Sequence, residues 1–202
     1  ARSRRVTSAH RVDRVFRGAR VATPAGIRPA AIHVAGGRIA SVTAPDERPE
    51  DVDVLDAGDA VIFPVLVDTH VHVNEPGRTD WEGFASATRA AAAGGVTTLL
   101  DMPLNSIPAT TTASALQAKR DAARDQCAVD VGLLGGVVPG NADQLPALHA
   151  GGVFGFKAFL SPSGVDEFTH VAEADLRAAL PVLAGLGQGL MVHAELRVAL
   201  DR

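Results

Sequence analysis

The chain has 202 residues, 47% of them apolar and 21% charged, a balance that suits an ordinary soluble globular domain with a real core. A net charge of -4 and a pI near 6.0 offer no electrostatic case for nucleic acid or a membrane surface, and no apolar run reaches the ~20 residues a bilayer span requires. One cysteine, Cys127, excludes an intramolecular disulfide framework and suits a reducing cytoplasm, with its side chain packed as a small hydrophobe.

The first twenty residues carry seven arginines against one acid, with no apolar segment behind them, so residues 1–10 read as a solvated basic arm rather than a secretory signal. From Arg11 to about residue 60 the pattern is short and extended. Val12, Val15 and Phe16 lead to Gly18, Ile32-His33-Val34 leads to Gly36-Gly37, and Val52 to Leu55 leads to Gly58-Asp59. Gly-Gly between two β-branched runs predicts a tight hairpin, because such turns need positive φ. Residues 11–60 are thus expected to form a small β-layer, a portion of a sandwich. His33 alternates with Ile32 and Val34 and is expected on the solvated face of a strand.

Residues 61–202 change rhythm. Val61, Ile62, Phe63, Val65, Leu66 and Val67 read as a strand buried on both faces, running into Asp68-Thr69-His70-Val71-His72. A helix fits Trp81 to Ala93, with Asp80 as its cap and Gly94-Gly95 as its stop. A strand from Val96 to Leu100 follows, then a helix from about Ala113 to Arg124 and a strand from Val129 to Val138. The same beat continues with a helix from Asn141 to Ala150, a strand from Val153 to Leu160, a helix from Ala172 to Leu186 and a strand from Leu190 to His193. Strands near positions 62, 96, 129, 153 and 190 are the spacing of consecutive βα units, for which an eight-unit TIM-type barrel is the leading candidate.

Chemistry in such barrels sits where strands end. Side chains two apart on a strand share a side, so His70 and His72 can aim both imidazoles at one point, the simplest start of a divalent metal site. Asn105 follows the second strand, Lys157 stands within the fourth and His193 ends the fifth. A lysine inside Phe154-Gly155-Phe156-Lys157-Ala158-Phe159 costs several kcal/mol unless paired, deprotonated or chemically altered. A side chain that snorkels or pairs with a carboxylate is one resolution. A carbamate, formed when carbon dioxide adds to the neutral amine, is another.

Pro64-Val65-Leu66-Val67-Asp68-Thr69-His70-Val71-His72 resembles the first-strand signature of the cyclic amidohydrolases, the superfamily of dihydroorotase, hydantoinase and allantoinase. Glu75-Pro76-Gly77-Arg78-Thr79-Asp80-Trp81-Glu82-Gly83-Phe84, Gly94-Gly95-Val96-Thr97-Thr98 and Met102 to Thr111 resemble the allantoinase branch, and Gly155 to Phe159 with Val192 to Glu195 resemble its lysine and later histidine segments. The resemblance implies an amidohydrolase barrel that opens the hydantoin ring of allantoin to allantoate with two divalent metals, zinc first among them. His70 and His72 would ligate the more buried ion, Lys157 would bridge both as N6-carboxylysine, His193 would ligate the second, and Asn105 would contact the cyclic ureide. It also implies a homotetramer.

In dihydroorotases an arginine stands two residues after the second histidine, where it can clamp a carboxylate; here that residue is Asn74, which favours allantoin over dihydroorotate. Hydantoinase or dihydropyrimidinase activity, and a non-catalytic scaffold, are the alternatives. For Glu75 and Arg78, loop-scaffold roles are expected. Val65 stands where the family has glycine, which would strain a backbone of positive φ. The family's further histidine ligand and general-base aspartate, on the sixth and eighth strands, are not among these 202 residues. The expectation is therefore an incomplete barrel, truncated after its fifth strand and inactive by itself.

Overall fold

The computed structural model describes residues 11–195; the expected basic arm at residues 1–10 lies outside them. The chain divides into two compact units, residues 1–64 and 65–202.

The first unit is a single sheet. β1 (Arg14–Thr23), β2 (Gly26–Ala35) and β3 (Arg38–Thr43) pair antiparallel, while β4 (Asp53–Asp56) and β5 (Val61–Ile62) both join β1 in parallel. Gly36 and Gly37, at φ 57° and 72°, make the predicted β2–β3 turn. Across the β1–β4 register, Arg14 faces Asp53 and Arg17 faces Asp56, each pair closing at 2.8 Å. Such exposed pairs are screened by solvent and mainly hold the register. His33 departs from expectation. It is 7% exposed, and its Nε2 lies 3.0 Å from the Glu47 carbonyl and 3.1 Å from Thr43 Oγ1. The segment after β3 folds over it, so strand alternation alone misjudged its surroundings.

In the second unit β6 (Leu66–Val71), α1 (Phe84–Ala93), β7 (Val96–Asp101), α2 (Ala113–Ala123) and β8 (Asp130–Leu133) come first. They are followed by β9 (Gly135–Gly136), α3 (Leu145–Ala150), β10 (Phe156–Phe159), α4 (Glu173–Gly185) and β11 (Leu190–His193). All strand pairs are parallel, in the orders β6-β7-β8 and β9-β10-β11. Leu134 joins the two sheets: its N–H donates to the Asp101 carbonyl at 3.0 Å, while Gly135 and Gly136 turn to β10. The expected third strand is therefore one strand with a break, and the order of five successive βα units matches an incomplete barrel.

Glycine is needed on β9. A Cβ on Gly136 would stand 2.4 Å from the Phe168 ring, and one on Gly135 would stand 2.9 Å from the Phe156 ring. The helix-facing side of the sheets holds the main core, with Phe84, Leu99, Leu116, Leu148, Phe156, Ala158 and Leu183 all at 2% exposure or less.

The strand at Val61 is corrected. Val61 and Ile62 add to β1, Pro64 supplies no N–H to continue a ladder, and β6 starts at Leu66. The start of β6 is open rather than buried on both faces: Val65, Leu66 and Val67 are 50–62% exposed, and β7 is the only strand paired with β6 among the described residues. Val65 carries no such strain, since among the described residues the non-glycine positions at positive φ are Asp51, Asn105 and Asp125. Cys127 is exposed rather than packed, just past the turn that follows α2.

Candidate metal centre

His70 and His72 stand at the end of β6, their ring centroids 5.5 Å apart. The His70 N–H donates to Asp68 Oδ1 at 3.0 Å, within the stretch of β6 where its register with β7 shifts. His72 is half-buried, and its Nδ1 is enclosed without a hydrogen-bond partner. Burial, followed by the positive charges of His70, Lys119 and Lys157, holds its imidazole below the ordinary histidine range. A neutral ring with an unpaired nitrogen is the form that binds a cation.

Lys157 sits in β10 between Phe156 and Ala158, both fully buried, and is itself 5% exposed. Its Nζ lies 5.0 Å from the Phe159 ring centroid, and no carboxylate pairs with it among the described residues. Burial pushes its amine below the ordinary lysine value, toward the neutral form that can add carbon dioxide. At 5% exposure the side chain does not snorkel to water, and the ion-paired alternative lacks a carboxylate among the described residues.

β10 and β11 align Lys157 with Met191 and Phe159 with His193. His193 is therefore one strand over and two residues on from Lys157, on the same face of the sheet. Its ring stacks on Phe159 at 4.9 Å between centroids, and its Nε2 lies 3.3 Å from Glu195 Oε1. The structure thus brings His70 and His72 together, with Lys157 near enough to act on His72, and places His193 beside Phe159 on the neighbouring strand. Among the described residues no three His, Cys, Asp or Glu side chains converge on one point. Two imidazoles and an amine displaced toward neutrality are nevertheless a donor set that would suit divalent cations.

Asn105 lies in the loop after β7 with φ 75°, a left-handed conformation unusual for a residue other than glycine. Its carbonyl accepts from Arg78 Nη1 at 2.8 Å; the same Arg78 pairs with Glu167 and stacks 4.9 Å from the Trp81 ring. The scaffold role expected of Arg78 is visible: it joins the loops that follow β6, β7 and β10. Glu75 likewise accepts the Phe84 N–H at 2.9 Å, at the start of α1. Asn74 is 8% exposed, with its Oδ1 buried and unpartnered.

Sequence reasoning missed Asp101 and Lys119. They form a buried ion pair at 2.5 Å, each side chain 1% exposed, directly beneath the residue that follows His72. Burial pushes the Asp101 carboxyl up to about 6, against the opposing pull of Lys119 and the Val73 N–H. Two signals were available. Asp101 ends an apolar strand at the side where barrel chemistry sits, and Lys119 shares the buried stripe of α2 with Ala115 and Leu116.

A model of the amidohydrolase family matches residues 61–195, and the chain belongs to that family. It is 57% identical over 185 residues to the allantoinase of Streptomyces avermitilis, covering 91% of this chain and 42% of that protein. It is 47% identical to the mitochondrial allantoinase of Aquarana catesbeiana, covering 92% of this chain and 38% of that one. Among solved structures, the L-hydantoinase (dihydropyrimidinase) of Arthrobacter aurescens superposes with a TM-score of 0.84 at 31% identity, covering 94% of this chain and 42% of its own. The chain thus spans about two fifths of the length of these relatives.

Proposed function

We propose that this chain supplies part of the active site of a metal-dependent cyclic amidohydrolase that opens the hydantoin ring of allantoin to allantoate. The observation that carries the reading is the pair of strand-end imidazoles, one neutral and unpartnered, with a buried, uncompensated lysine acting on it. The likeness to allantoinases supports the choice of substrate.

His70, His72 and His193 would hold the cations through imidazole lone pairs. The Lys157 amine nitrogen would add to the carbon of carbon dioxide and lose one proton, leaving a carbamate anion whose two oxygens can bridge. A bound pair of divalent ions, zinc first among them, lowers the pKa of water and polarises the scissile carbonyl. Asn105, held in a fixed left-handed backbone, would present its side-chain amide to the donors and acceptors of the ureide. Asn74 cannot make the bidentate grip that arginine gives a carboxylate, which suits an uncharged ring better than dihydroorotate.

No helix among the described residues is long and apolar enough to cross a membrane. A reducing cytoplasm suits the single exposed cysteine, and homotetramer assembly is carried over from the family likeness. The test is an assay of the whole gene product. Allantoin should be opened and chelation should abolish the activity; turnover of dihydroorotate or hydantoins with none of allantoin would overturn the substrate assignment.

A further inference from the structure

Beneath the histidine pair, at the point where β6 and β7 leave the sheet, four polar bonds converge on two residues. Asp101 Oδ1 accepts the Val73 N–H at 2.6 Å, and Lys119 Nζ donates to the Val73 carbonyl at 3.1 Å. Lys119 also donates to Ser106 Oγ at 3.1 Å, and the two charges meet at 2.5 Å. Val73 follows His72, and Ser106 follows Asn105. Both backbone polar groups of one neighbour and the hydroxyl of the other therefore end on a single ion pair.

Stability alone is a poor reason for such a pair, because well-packed apolar residues of similar volume commonly do as well in a buried site. What an apolar pair would lack is the set of bonds into two separate loops. Asn105 needs such support, since its backbone sits at φ 75°. Arg78 holds its carbonyl from one side, and Lys119 holds the next residue from the other.

We infer that Asp101 and Lys119 act as one positioning unit that sets the placement of His72 and Asn105 together, so that metal retention and ureide binding depend on the same buried pair. Both halves rest on the function proposed above, the ureide half on its substrate and the metal half on His72 as a ligand, whereas the amide-exchange readout of the pair's bonds to Val73 and Ser106 rests on neither.

The test is the double variant Asp101→Asn/Lys119→Met in the whole gene product. Asparagine keeps an acceptor for the Val73 N–H, and methionine keeps the volume of the lysine stem without its charge. Four readouts are taken: thermal unfolding, amide exchange at Val73 and across residues 103–111, zinc retained per chain after dialysis, and KM against kcat for allantoin. The expected result is near-native thermal stability together with roughly 10-fold or faster exchange in both segments. Zinc affinity should fall by ~10–100-fold, and KM should rise about 10-fold. Native exchange, zinc retention and KM in a stable double variant would overturn the inference, as would faster exchange with zinc and KM unmoved. If the wild-type protein opens no ureide, the proposed function fails, while zinc retention and exchange still decide the role of the pair. Should the double variant not fold, Ser106→Ala decides. It should loosen residues 103–111 and raise KM with Val73 exchange unchanged, and a native KM there would contradict the inference.

Discussion

Replacing Lys119 alone with methionine should be far more damaging than replacing the pair. The side chain is fully buried, and its loss strands Asp101, 1% exposed, with only the Val73 N–H for company. Removing one partner of a buried ion pair costs about 3–5 kcal/mol. For a domain of this size each kcal/mol moves the unfolding midpoint by roughly 2–4 °C, so Lys119→Met should melt ~6–20 °C below wild type. The deficit should also depend on pH in a definite direction. Asp101 already titrates at about 6 with Lys119 beside it, and Lys119 is a downward pull, so the variant's carboxyl titrates higher still. A carboxyl whose folded pKa lies above its unfolded value of 3.8 favours folding at low pH, and that support is lost as pH rises toward the folded pKa. The variant should therefore lag wild type less near about pH 5 than near about pH 8. Differential scanning calorimetry of both proteins at the two pH values measures this. A deficit below about 1 kcal/mol, or one equal at both pH values, refutes the reasoning.

Other consequences are open to simple measurement. Lys157→Ala should lower the metal content of the whole gene product and abolish hydrolysis, with partial rescue by short carboxylic acids; unchanged metal content would speak against the carbamate. Glu167 is held below its ordinary value chiefly by its hydrogen bond to Arg78, so its stabilising effect is present above about 4.5 and is lost as pH falls through the folded value. Urea titrations of wild type and Glu167→Gln should differ at neutral pH and converge in acid; a gap that widens in acid would reverse the sign. Gly77 sits at φ 93°, where an added Cβ would stand 2.6 Å from Ile107 Cβ. Gly77→Ala should therefore cost at least ~1–3 kcal/mol in the same titration, and a neutral result would mean that the loop shifts freely.

The βα rhythm was legible because each unit carries its own punctuation. Gly94-Gly95 ended α1 as read, and β11 took the predicted span Leu190–His193. Boundaries slipped where a local rule met a tertiary one. α1 starts at Phe84 rather than Trp81, since Glu75 reaches across to accept the Phe84 N–H and Gly83 becomes the cap. The run from Val129 to Val138 broke at Leu134 because its two halves pair with different neighbours, which no periodicity reveals. At the site, the histidines and Lys157 were visible from spacing and from the cost of an amine among aromatics. Asp101 and Lys119 each carried a positional signal, but their pairing did not show, because charges 18 positions apart on a strand and a helix meet only once the helix packs. His33 was misjudged for the same reason, its partners lying 10 and 14 residues downstream.

The most direct trial of the metal centre is a metal-edge anomalous map from crystals of the zinc-loaded whole gene product. Two peaks are expected, with His70 and His72 on one, His193 on the other and a carboxylated Lys157 between them. An unmodified Lys157 with no peak near these side chains would contradict the account.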